Sequence, residues 1–138
     1  MERKKKSDEK LSLILDHASR IFAEKGYHAA SIRDVAAATG VSPAGLYYYF
    51  QSKEELLHLI LSGCLSGLIR RVQNEAAEIK NPALRLKAII RTHLEHISNR
   101  GPEMKVLANE YDVLSGPLGA GVRKLMRDYT QIVLRTFK

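Results

Sequence analysis

The chain has 138 residues, enough for one ordinary domain or for a small domain followed by a helical one. A formal net charge of +7 favours a polyanionic partner, either nucleic acid or an acidic membrane surface. The single cysteine, Cys64, excludes an intrachain disulfide and a cysteine-based zinc cluster, and we expect it to be a small buried residue. No apolar run approaches the roughly 18 residues of a membrane span, and no signal peptide opens the chain, so we expect a cytoplasmic protein without a membrane partner.

The segment from Glu2 to Lys10 is polar and includes a basic run from Arg3 to Lys6. Two interpretations stay open: a solvated, disordered tail, or a basic arm that touches nucleic-acid phosphates or an adjacent minor groove. Apolar residues then recur at three- and four-residue steps, which predicts an amphipathic helix over 8–25 that ends at Gly26.

The stretch from Ala29 to Leu57 predicts two short helices joined by a tight turn and followed by a capped third. Ser31 is the predicted N-cap of the first helix, because its hydroxyl can accept from backbone N–H groups left free there. Gly40 is placed to leave that helix in a left-handed conformation.

The second short helix is predicted from Pro43 to Phe50, with Ser42 as its N-cap and proline at its first position. Leu46 and Phe50 should point inward one turn apart. The S-x-x-E sequence from Ser52 to Glu55 predicts a capping box for the next helix. Two short helices around a glycine-bearing turn form a helix-turn-helix, whose second helix enters the DNA major groove.

A long helix begins at Lys53, and its Gly63 and Gly67 indicate close helix packing or a kink. No strand pattern follows, and the apolar spacing predicts seven helices and an all-α fold. The remaining predicted elements are a helix from Pro82 to the Gly101-Pro102 pair, a helix from Met104 to Leu114, a flexible loop from Ser115 to Gly121, and a helix from Val122 to Phe137.

The helix-turn-helix residues follow a known pattern. From Ser31 to Leu57 the sequence is SIRDVAAATGVSPAGLYYYFQSKEELL, which contains Ile-x-x-Val-Ala, Gly-Val-Ser, Leu-Tyr-x-Tyr-Phe and Ser-Lys-Glu-x-Leu. Together with ILDHASRIFAEKGYHAAS upstream, it resembles the N-terminal DNA-binding domain of the tetracycline-repressor (TetR) family. The resemblance implies a three-helix DNA-binding domain over residues 1–53 and a helical effector-binding and dimerisation domain over residues 54–138. The long helix would then connect the two domains.

The family usually continues through two further helices that build a four-helix dimer interface. The sequence shows no pattern for them before it stops at Lys138. We therefore expect an apparently truncated second domain that lacks the usual last two dimerisation helices.

Sequence recognition in the major groove needs side chains that reach base edges and donors that hold phosphates. Arg33 is the candidate for a base contact, since arginine binds guanine O6 and N7 bidentately; a phosphate contact or plain solvent exposure is the alternative. The small residues Pro43, Ala44 and Gly45 let the helix approach DNA closely. Ser31 and Ser42 are expected to combine capping with phosphate contact.

The resemblance also assigns roles to the aromatic residues and to one lysine. Tyr48 resembles the family's base- or sugar-facing aromatic residue, and Lys53 resembles its backbone-clamping lysine. Tyr47 and Tyr49 are expected to donate hydroxyls to phosphates while their rings pack. Of the three tyrosines, Tyr47 is the one expected to be half in the core, with Tyr48 and Tyr49 largely outward.

The second half should supply an effector pocket. NEYDVLSGPLGAGVRKLMRDYTQIVLRTF loosely resembles regulators of lipid or steroid breakdown that sense acyl-coenzyme A. Arg91, Arg123 and Arg127 would then meet phosphates of such a ligand, or else form solvated helix surface. His93 and His96 share a helix face, but no further metal ligand follows at helical spacing, so packing or a pocket hydrogen bond is expected and no metal.

These observations predict a ligand-responsive transcriptional regulator, a repressor that binds a palindromic double-stranded DNA operator as a homodimer. A small apolar or acyl-type effector, such as an acyl-coenzyme A or another hydrophobic ligand, would release it. The alternative is a helical adaptor whose helix-turn-helix packs on protein. No enzyme is expected, because no nucleophile–base pair, carboxylate dyad or metal cage is apparent, and no cofactor or catalytic residue is assigned.

Overall fold

Seven α-helices form the regular structure of residues 1–137, the part of the chain that a computed structural model describes. They are α1 (Glu2–Lys25), α2 (Ile32–Thr39), α3 (Pro43–Leu46), α4 (Lys53–Ala76), α5 (Pro82–Asn99), α6 (Gly101–Glu110) and α7 (Gly116–Arg135). Residues 1–137 contain no strand, which confirms the predicted all-α class.

Local capping signals set the ends of the short helices, as predicted. The Ser31 hydroxyl accepts from the Asp34 N–H at 3.1 Å, and the Asp34 carboxylate accepts from the Ser31 N–H at 2.9 Å. Gly40 ends α2 with φ of 73°, in the left-handed region that glycine adopts without a steric penalty. The Ser42 hydroxyl caps α3 by accepting from the Gly45 N–H at 3.1 Å.

The start of α4 departs slightly from the predicted capping box. The Ser52 hydroxyl accepts from the Glu55 N–H at 3.1 Å, as expected. The Glu55 carboxylate, however, accepts from the N–H of Gln51 at 3.1 Å, one residue earlier than a capping box requires. The predicted N-terminus is therefore confirmed, with a shifted reciprocal bond.

The basic N-terminal segment is helical, so the interpretation of a disordered tail is wrong. Helix α1 begins at Glu2 instead of residue 8 and carries the run from Arg3 to Lys6 as exposed side chains. Lysine, arginine and glutamate are good helix formers, and the segment extends a helix already anchored by buried residues further along. The helix ends at Gly26, as predicted.

Helix α3 is shorter than predicted, because it ends at Leu46 instead of Phe50. The chain continues as a tight turn in which the Tyr48 N–H donates to Gly45 O at 3.3 Å and the Tyr49 N–H donates to Leu46 O at 2.9 Å. These bonds between residues three apart tighten the last turn of a helix. Leu46 and Phe50 are nevertheless both fully buried, as expected.

Two predictions for the glycine- and proline-rich segments of the second half are wrong. The Gly101-Pro102 pair begins α6 instead of closing α5, and the segment from Gly116 to Gly121 is the first part of α7 instead of a flexible loop. In both helices proline lies in the first turn, where its missing N–H costs nothing. Gly119 is buried, and a Cβ at that position would collide with the Leu114 carbonyl, so close packing explains the glycine.

We call α1 to α3, together with the residues that lead from α3 to α4, the head, and we call α4 to α7 the body. Their apolar residues form one continuous cluster, in which Phe22, Val35, Leu46 and Phe50 of the head meet the first half of α4 and residues of α6 and α7. A second cluster lies between the second half of α4 and α5. Long helix α4 therefore contributes to both clusters and joins the head to the body.

A polar contact also joins the head to the body. The Tyr27 N–H, just after α1, donates to the Glu110 carboxylate of α6 at 3.2 Å, and α1 packs along α6. Tyr27 itself is buried, and burial together with the nearby Glu54 carboxylate raises the pKa of its hydroxyl to about 12. The head therefore packs directly on the body and is also connected to it through α4.

Candidate nucleic-acid interface

Arg33 lies exposed in the first turn of α2 and forms no ion pair within residues 1–137. The neighbouring Asp34 does not pair with Arg33, because its carboxylate accepts from the Ser31 N–H and pairs with Lys25 at 3.3 Å. The hydrogen bond from the Ser31 N–H has the largest effect, and together with the Lys25 contact it holds the pKa of the Asp34 carboxyl below its usual range. The guanidinium of Arg33 therefore keeps all its donors available for a partner outside the chain.

The two capping serines are exposed at the N-termini of α2 and α3. Ser31 and Ser42 each use an oxygen lone pair to accept from the backbone, and neither hydroxyl donates within residues 1–137. A serine hydroxyl can donate while it accepts. Capping and phosphate contact are therefore compatible at both positions, although the phosphate contact stays a prediction.

The tyrosines after α3 differ in exposure. Tyr48 keeps 77% of its surface exposed, and Tyr47 keeps 46% while its ring centroid lies 6.3 Å from that of Phe50. Tyr49 is half-buried against the core and contacts the edge of Tyr48 with ring centroids 5.1 Å apart. The outward orientation predicted for Tyr49 is wrong, because the tight turn after Leu46 brings the residue three positions later back towards the core.

The small residues that begin α3 have separate roles. Pro43 and Ala44 are exposed. A Cβ at Gly45 would lie 2.9 Å from Val41 Cγ1 and 3.2 Å from Ser42 Oγ. A side chain at this position would press on Val41 and Ser42, so local packing favours glycine, whereas close approach to DNA through Gly45 stays a prediction.

Lys53 makes contacts within the protein that the sequence did not predict. Its ammonium lies 4.3 Å from the ring centroid of Tyr27 and donates to His28 O at 3.4 Å. The first of these is a cation–π contact. No short-range pattern links residues this far apart along the chain, so the pairing could not be found from local spacing. The phosphate clamp predicted for Lys53 stays a prediction.

In the body, the two histidines of α5 face different partners. His93 Nδ1 lies 2.7 Å from the Tyr129 hydroxyl, whereas His96 Nε2 lies 3.1 Å from the carbonyl oxygen of Cys64. Burial lowers the pKa of both histidines and raises the pKa of the Cys64 thiol to about 11. Within residues 1–137, no three His, Cys, Asp or Glu side chains converge as metal ligands.

An apolar groove runs between α5 and α7, with a volume of about 290 Å³. We call it the α5–α7 groove; its lining residues are Leu86, Ile89, Ile90, His93, Leu94, Tyr129 and Val133. Arg91 lies in an adjoining hollow of about 580 Å³ along α5. Arg123 and Arg127 are exposed on α7 and line neither space, so the structure does not bring the three predicted arginines together.

Comparison with known proteins decides the family. A family model described as "Bacterial regulatory proteins, tetR family" matches residues 14–60. The crystal structure of PfmR, a TetR family transcriptional regulator from Thermus thermophilus, is 31% identical, with a TM-score of 0.77 over 89% of this chain and 69% of PfmR. The chain belongs to the TetR family. All the candidate DNA contacts from Ser31 to Lys53 lie inside the TetR match.

Two further proteins are similar to this chain over most of its length. The structure of AibR in complex with isovaleryl coenzyme A and operator DNA is 27% identical, with a TM-score of 0.85 over 93% of this chain and 70% of AibR. The HTH-type transcriptional repressor KstR2 of Mycobacterium tuberculosis is 31% identical over 97 residues, which are 70% of this chain and 48% of KstR2. The chain spans about half the length of the curated relatives that it matches.

KstR2 and PfmR are named as transcriptional regulators, and the matching family model describes bacterial regulatory proteins. Within residues 1–137, none of the helices has the length and apolar content that crossing a bilayer demands.

Proposed function

We propose that this protein is a ligand-responsive transcriptional repressor that binds a palindromic DNA operator as a homodimer. The observation that carries the proposal is the two-sided character of α2 and α3. Val35 and Leu46 are fully buried. Arg33, Ala44 and the nearby Tyr48 are exposed, so the guanidinium of Arg33 and the hydroxyl of Tyr48 are accessible to a partner.

Each exposed group suits a different part of a DNA duplex. Arg33 offers a planar fork of donors that matches O6 and N7 of guanine in the major groove. Pro43 and Ala44 present apolar surface to a thymine methyl group. The hydroxyls of Ser31 and Ser42, together with Tyr48, are placed to contact phosphates and sugars, which position the protein without selecting a sequence.

The extended N-terminus of α1 offers further positive charge to a polyanion. The basic run from Arg3 to Lys6 is exposed on a continuous helix and has no ion pair within the described residues. We assign it to phosphate contacts, which raise affinity and salt dependence.

The α5–α7 groove is the proposed effector site. It is almost entirely apolar but contains the hydrogen-bonded pair of His93 and Tyr129, a polar handle that can orient a ligand. AibR, similar over most of this chain, was solved with isovaleryl coenzyme A and operator DNA. A short acyl chain fits the apolar lining, and we therefore propose an apolar or acyl-type effector.

Effector binding would be coupled to DNA binding through the helices that join head and body. In a dimer, two recognition elements meet successive major grooves about 34–36 Å apart. The effector must bind the DNA-competent and DNA-incompetent states unequally, since otherwise it shifts no population. The α5–α7 groove is lined by helices that pack on α4, so a rearrangement of the groove acts on α4, the helix that joins the head to the body.

The decisive experiment measures binding of the protein to the DNA upstream of its own gene by fluorescence anisotropy. A scrambled duplex of the same length and composition is the control, and the salt concentration is varied from 50 to 200 mM (about the range over which phosphate contacts are tested). We expect tighter binding to the upstream duplex, with two protein chains per site in light scattering. Equal affinity for both duplexes would contradict specific repression and favour the protein-binding adaptor.

The effector is tested on the same complex. Isovaleryl coenzyme A is the probe, and coenzyme A without the acyl chain is the control. We expect the acyl compound alone to dissociate the complex, and a Leu94→Glu substitution in the groove to abolish that effect without changing DNA affinity. Release by both compounds would place recognition outside the apolar groove.

A further inference from the structure

A second, polar cleft lies between α4 and the end of α5, outside the surfaces assigned so far. Its volume is about 480 Å³. We call it the basic cleft; its lining residues are Gly67, Arg70, Arg71, Asn74, His96, Asn99 and Arg100. The helical spacing explains the arrangement, because residues three, four and seven positions apart share one face of a helix.

The basic cleft is lined by positive charge and by amide groups, and no acidic residue lines it. Glu95, which does not line the cleft, pairs with Arg71 at 2.9 Å and fixes that guanidinium. Arg70 and Arg100 are exposed and have no ion pair within residues 1–137. Asn74 and Asn99 add neutral hydrogen-bonding groups. The cleft therefore attracts an anion and offers it several donors.

His96 supplies an independent sign of an absent partner. It is only 1% exposed, and its Nε2 lies 3.1 Å from the carbonyl oxygen of Cys64, so Nε2 carries the proton and donates. Its Nδ1 is buried and has no hydrogen-bond partner. Buried polar atoms are normally paired, so this nitrogen needs a donor from outside the chain.

The glycine at position 67 opens the histidine ring to the cleft. A Cβ at Gly67 would lie 3.5 Å from His96 Cε1, the ring carbon next to Nδ1. Any larger side chain there would cover that edge of the ring. Without one, the Cε1 edge of the His96 ring lines the cleft beside the arginines.

We propose that the basic cleft binds a phosphate group, as free phosphate or as a phosphate monoester of a small molecule. A phosphate monoanion combines anionic oxygens for Arg70, Arg71 and Arg100 with a P–OH group that can donate to His96 Nδ1. A carboxylate offers no such donor. The cleft begins at Gly67, about 21 Å along α4 from Lys53 at 1.5 Å per residue, so operator phosphates bound by the head are not its ligand.

This inference goes beyond the proposed repressor function and does not depend on DNA binding. It is tested by isothermal titration calorimetry of the full chain with adenosine monophosphate, inorganic phosphate and adenosine, in the absence of DNA and at about pH 6, where a phosphate monoester still carries a P–OH group. We expect both phosphates to bind and adenosine not to bind. Tighter binding of the monoester identifies a phosphorylated metabolite as the ligand class, and equal affinities identify the free ion. Absence of binding by both phosphates at millimolar concentration overturns the proposal.

Matched arginine variants localise the binding. Arg70→Gln and Arg100→Gln should each weaken phosphate binding about tenfold, because each removes a charge-assisted interaction. Arg20→Gln, an exposed arginine on α1, is the control and should leave affinity unchanged. Equal weakening in all three variants would show a non-specific effect of net charge and overturn the site.

A nuclear magnetic resonance measurement gives a second readout. In ¹⁵N-labelled protein the Nδ1 resonance of His96 should shift on addition of phosphate, whereas the ring resonances of exposed His28 should not. If phosphate binds and His96 Nδ1 does not respond, the ligand lies elsewhere and the assignment fails.

Discussion

The head and the body bury their apolar residues to different degrees, although both are built from amphipathic helices. In the head, Phe22, Val35 and Leu46 are enclosed, and the exposed aromatic residues are tyrosines beside the helix-turn-helix. In the body, large aliphatic side chains remain exposed along α5, and further apolar side chains are exposed at the end of α7. These exposed residues are Leu84, Ile90, Leu94, Ile97, Leu134 and Phe137.

The difference indicates which kind of partner surface each of the two parts suits. The head buries its apolar residues in a core shared with α4, α6 and α7 and leaves polar and cationic groups outward, which suits a hydrated, charged surface such as DNA. The body leaves apolar groups outward, and clustered exposed apolar surface on a protein marks a place where a ligand or another chain binds. Charge therefore dominates the proposed chemistry of the head, and apolar burial dominates that of the α5–α7 groove.

The largest expected effect concerns the closed core of the head. Phe22→Ala removes a ring that is 2% exposed and contacts Tyr27 edge-on, so we expect a loss of about 3–5 kcal/mol in the free energy of unfolding. Leu94→Ala in the body, where the side chain is 60% exposed, should change it by less than about 0.5 kcal/mol. Urea denaturation followed by circular dichroism measures both. Similar losses would mean that the outer face of α5 is covered in solution.

The next effect concerns the charged surface of the head. Arg33→Ala and Tyr48→Ala should each weaken operator binding by about 1–3 kcal/mol while leaving the thermal midpoint of unfolding unchanged, since both side chains are exposed. The matched controls are Arg135→Ala and Tyr111→Ala, which change exposed residues of the body. Fluorescence anisotropy measures the operator affinities. An equal loss of affinity in the variants and the controls would contradict the distinction between head and body.

A smaller effect is expected from the capping box of α2. Ser31→Ala leaves the Asp34 N–H without its acceptor and should lower the free energy of unfolding by about 1 kcal/mol. Ser66→Ala, in the exposed middle of α4, removes no cap and should be neutral or slightly stabilising. Chemical denaturation of the two variants under identical conditions provides the comparison. A neutral Ser31→Ala would show that tertiary packing alone holds the start of α2.

The smallest effect is a pH dependence that belongs to the body. Burial lowers the pKa of His93 and His96 below the ordinary value of 6.5, so the unfolded chain binds more protons than the folded chain just below that pH. Stability that is fully present above pH 6.5 should therefore be lost as the pH falls through the folded pKa values. The urea midpoint should be lower about one pH unit below this value than about one unit above it. His96→Gln should reduce this difference, and an unchanged difference would exclude His96 as a contributor.

Much of the structure of the head could be predicted from local sequence signals. Ser31, Gly40 and Ser42 could be assigned from sequence because a cap or a left-handed glycine depends on a few neighbouring residues. The burial of Leu46 and Phe50 followed from helical spacing even though α3 proved shorter than predicted. The family resemblance placed the candidate contacts from Ser31 to Lys53 in a stretch that the TetR family match covers.

Predictions failed where distant contacts or context decide the structure. Gly119 was assigned to a flexible loop because glycine and proline favour turns, whereas its close approach to the Leu114 carbonyl explains the glycine within a helix. The contact of Tyr27 with Glu110 joins residues 83 positions apart. The basic cleft likewise needs the faces of α4 and α5 side by side, and apolar spacing within each helix does not determine the register between them.

Helix α4 has a mechanical consequence. It runs without interruption through 24 residues, despite Gly63 and Gly67, from the exit of the helix-turn-helix to the far end of the body. At 1.5 Å per residue it is about 36 Å long, so pivoting it by about 10° carries one end roughly 6 Å, more than the 5.4 Å pitch of a helical turn. In the proposed repressor, a modest rearrangement around a bound effector would be amplified, by leverage alone, into a displacement that a rigid duplex can distinguish.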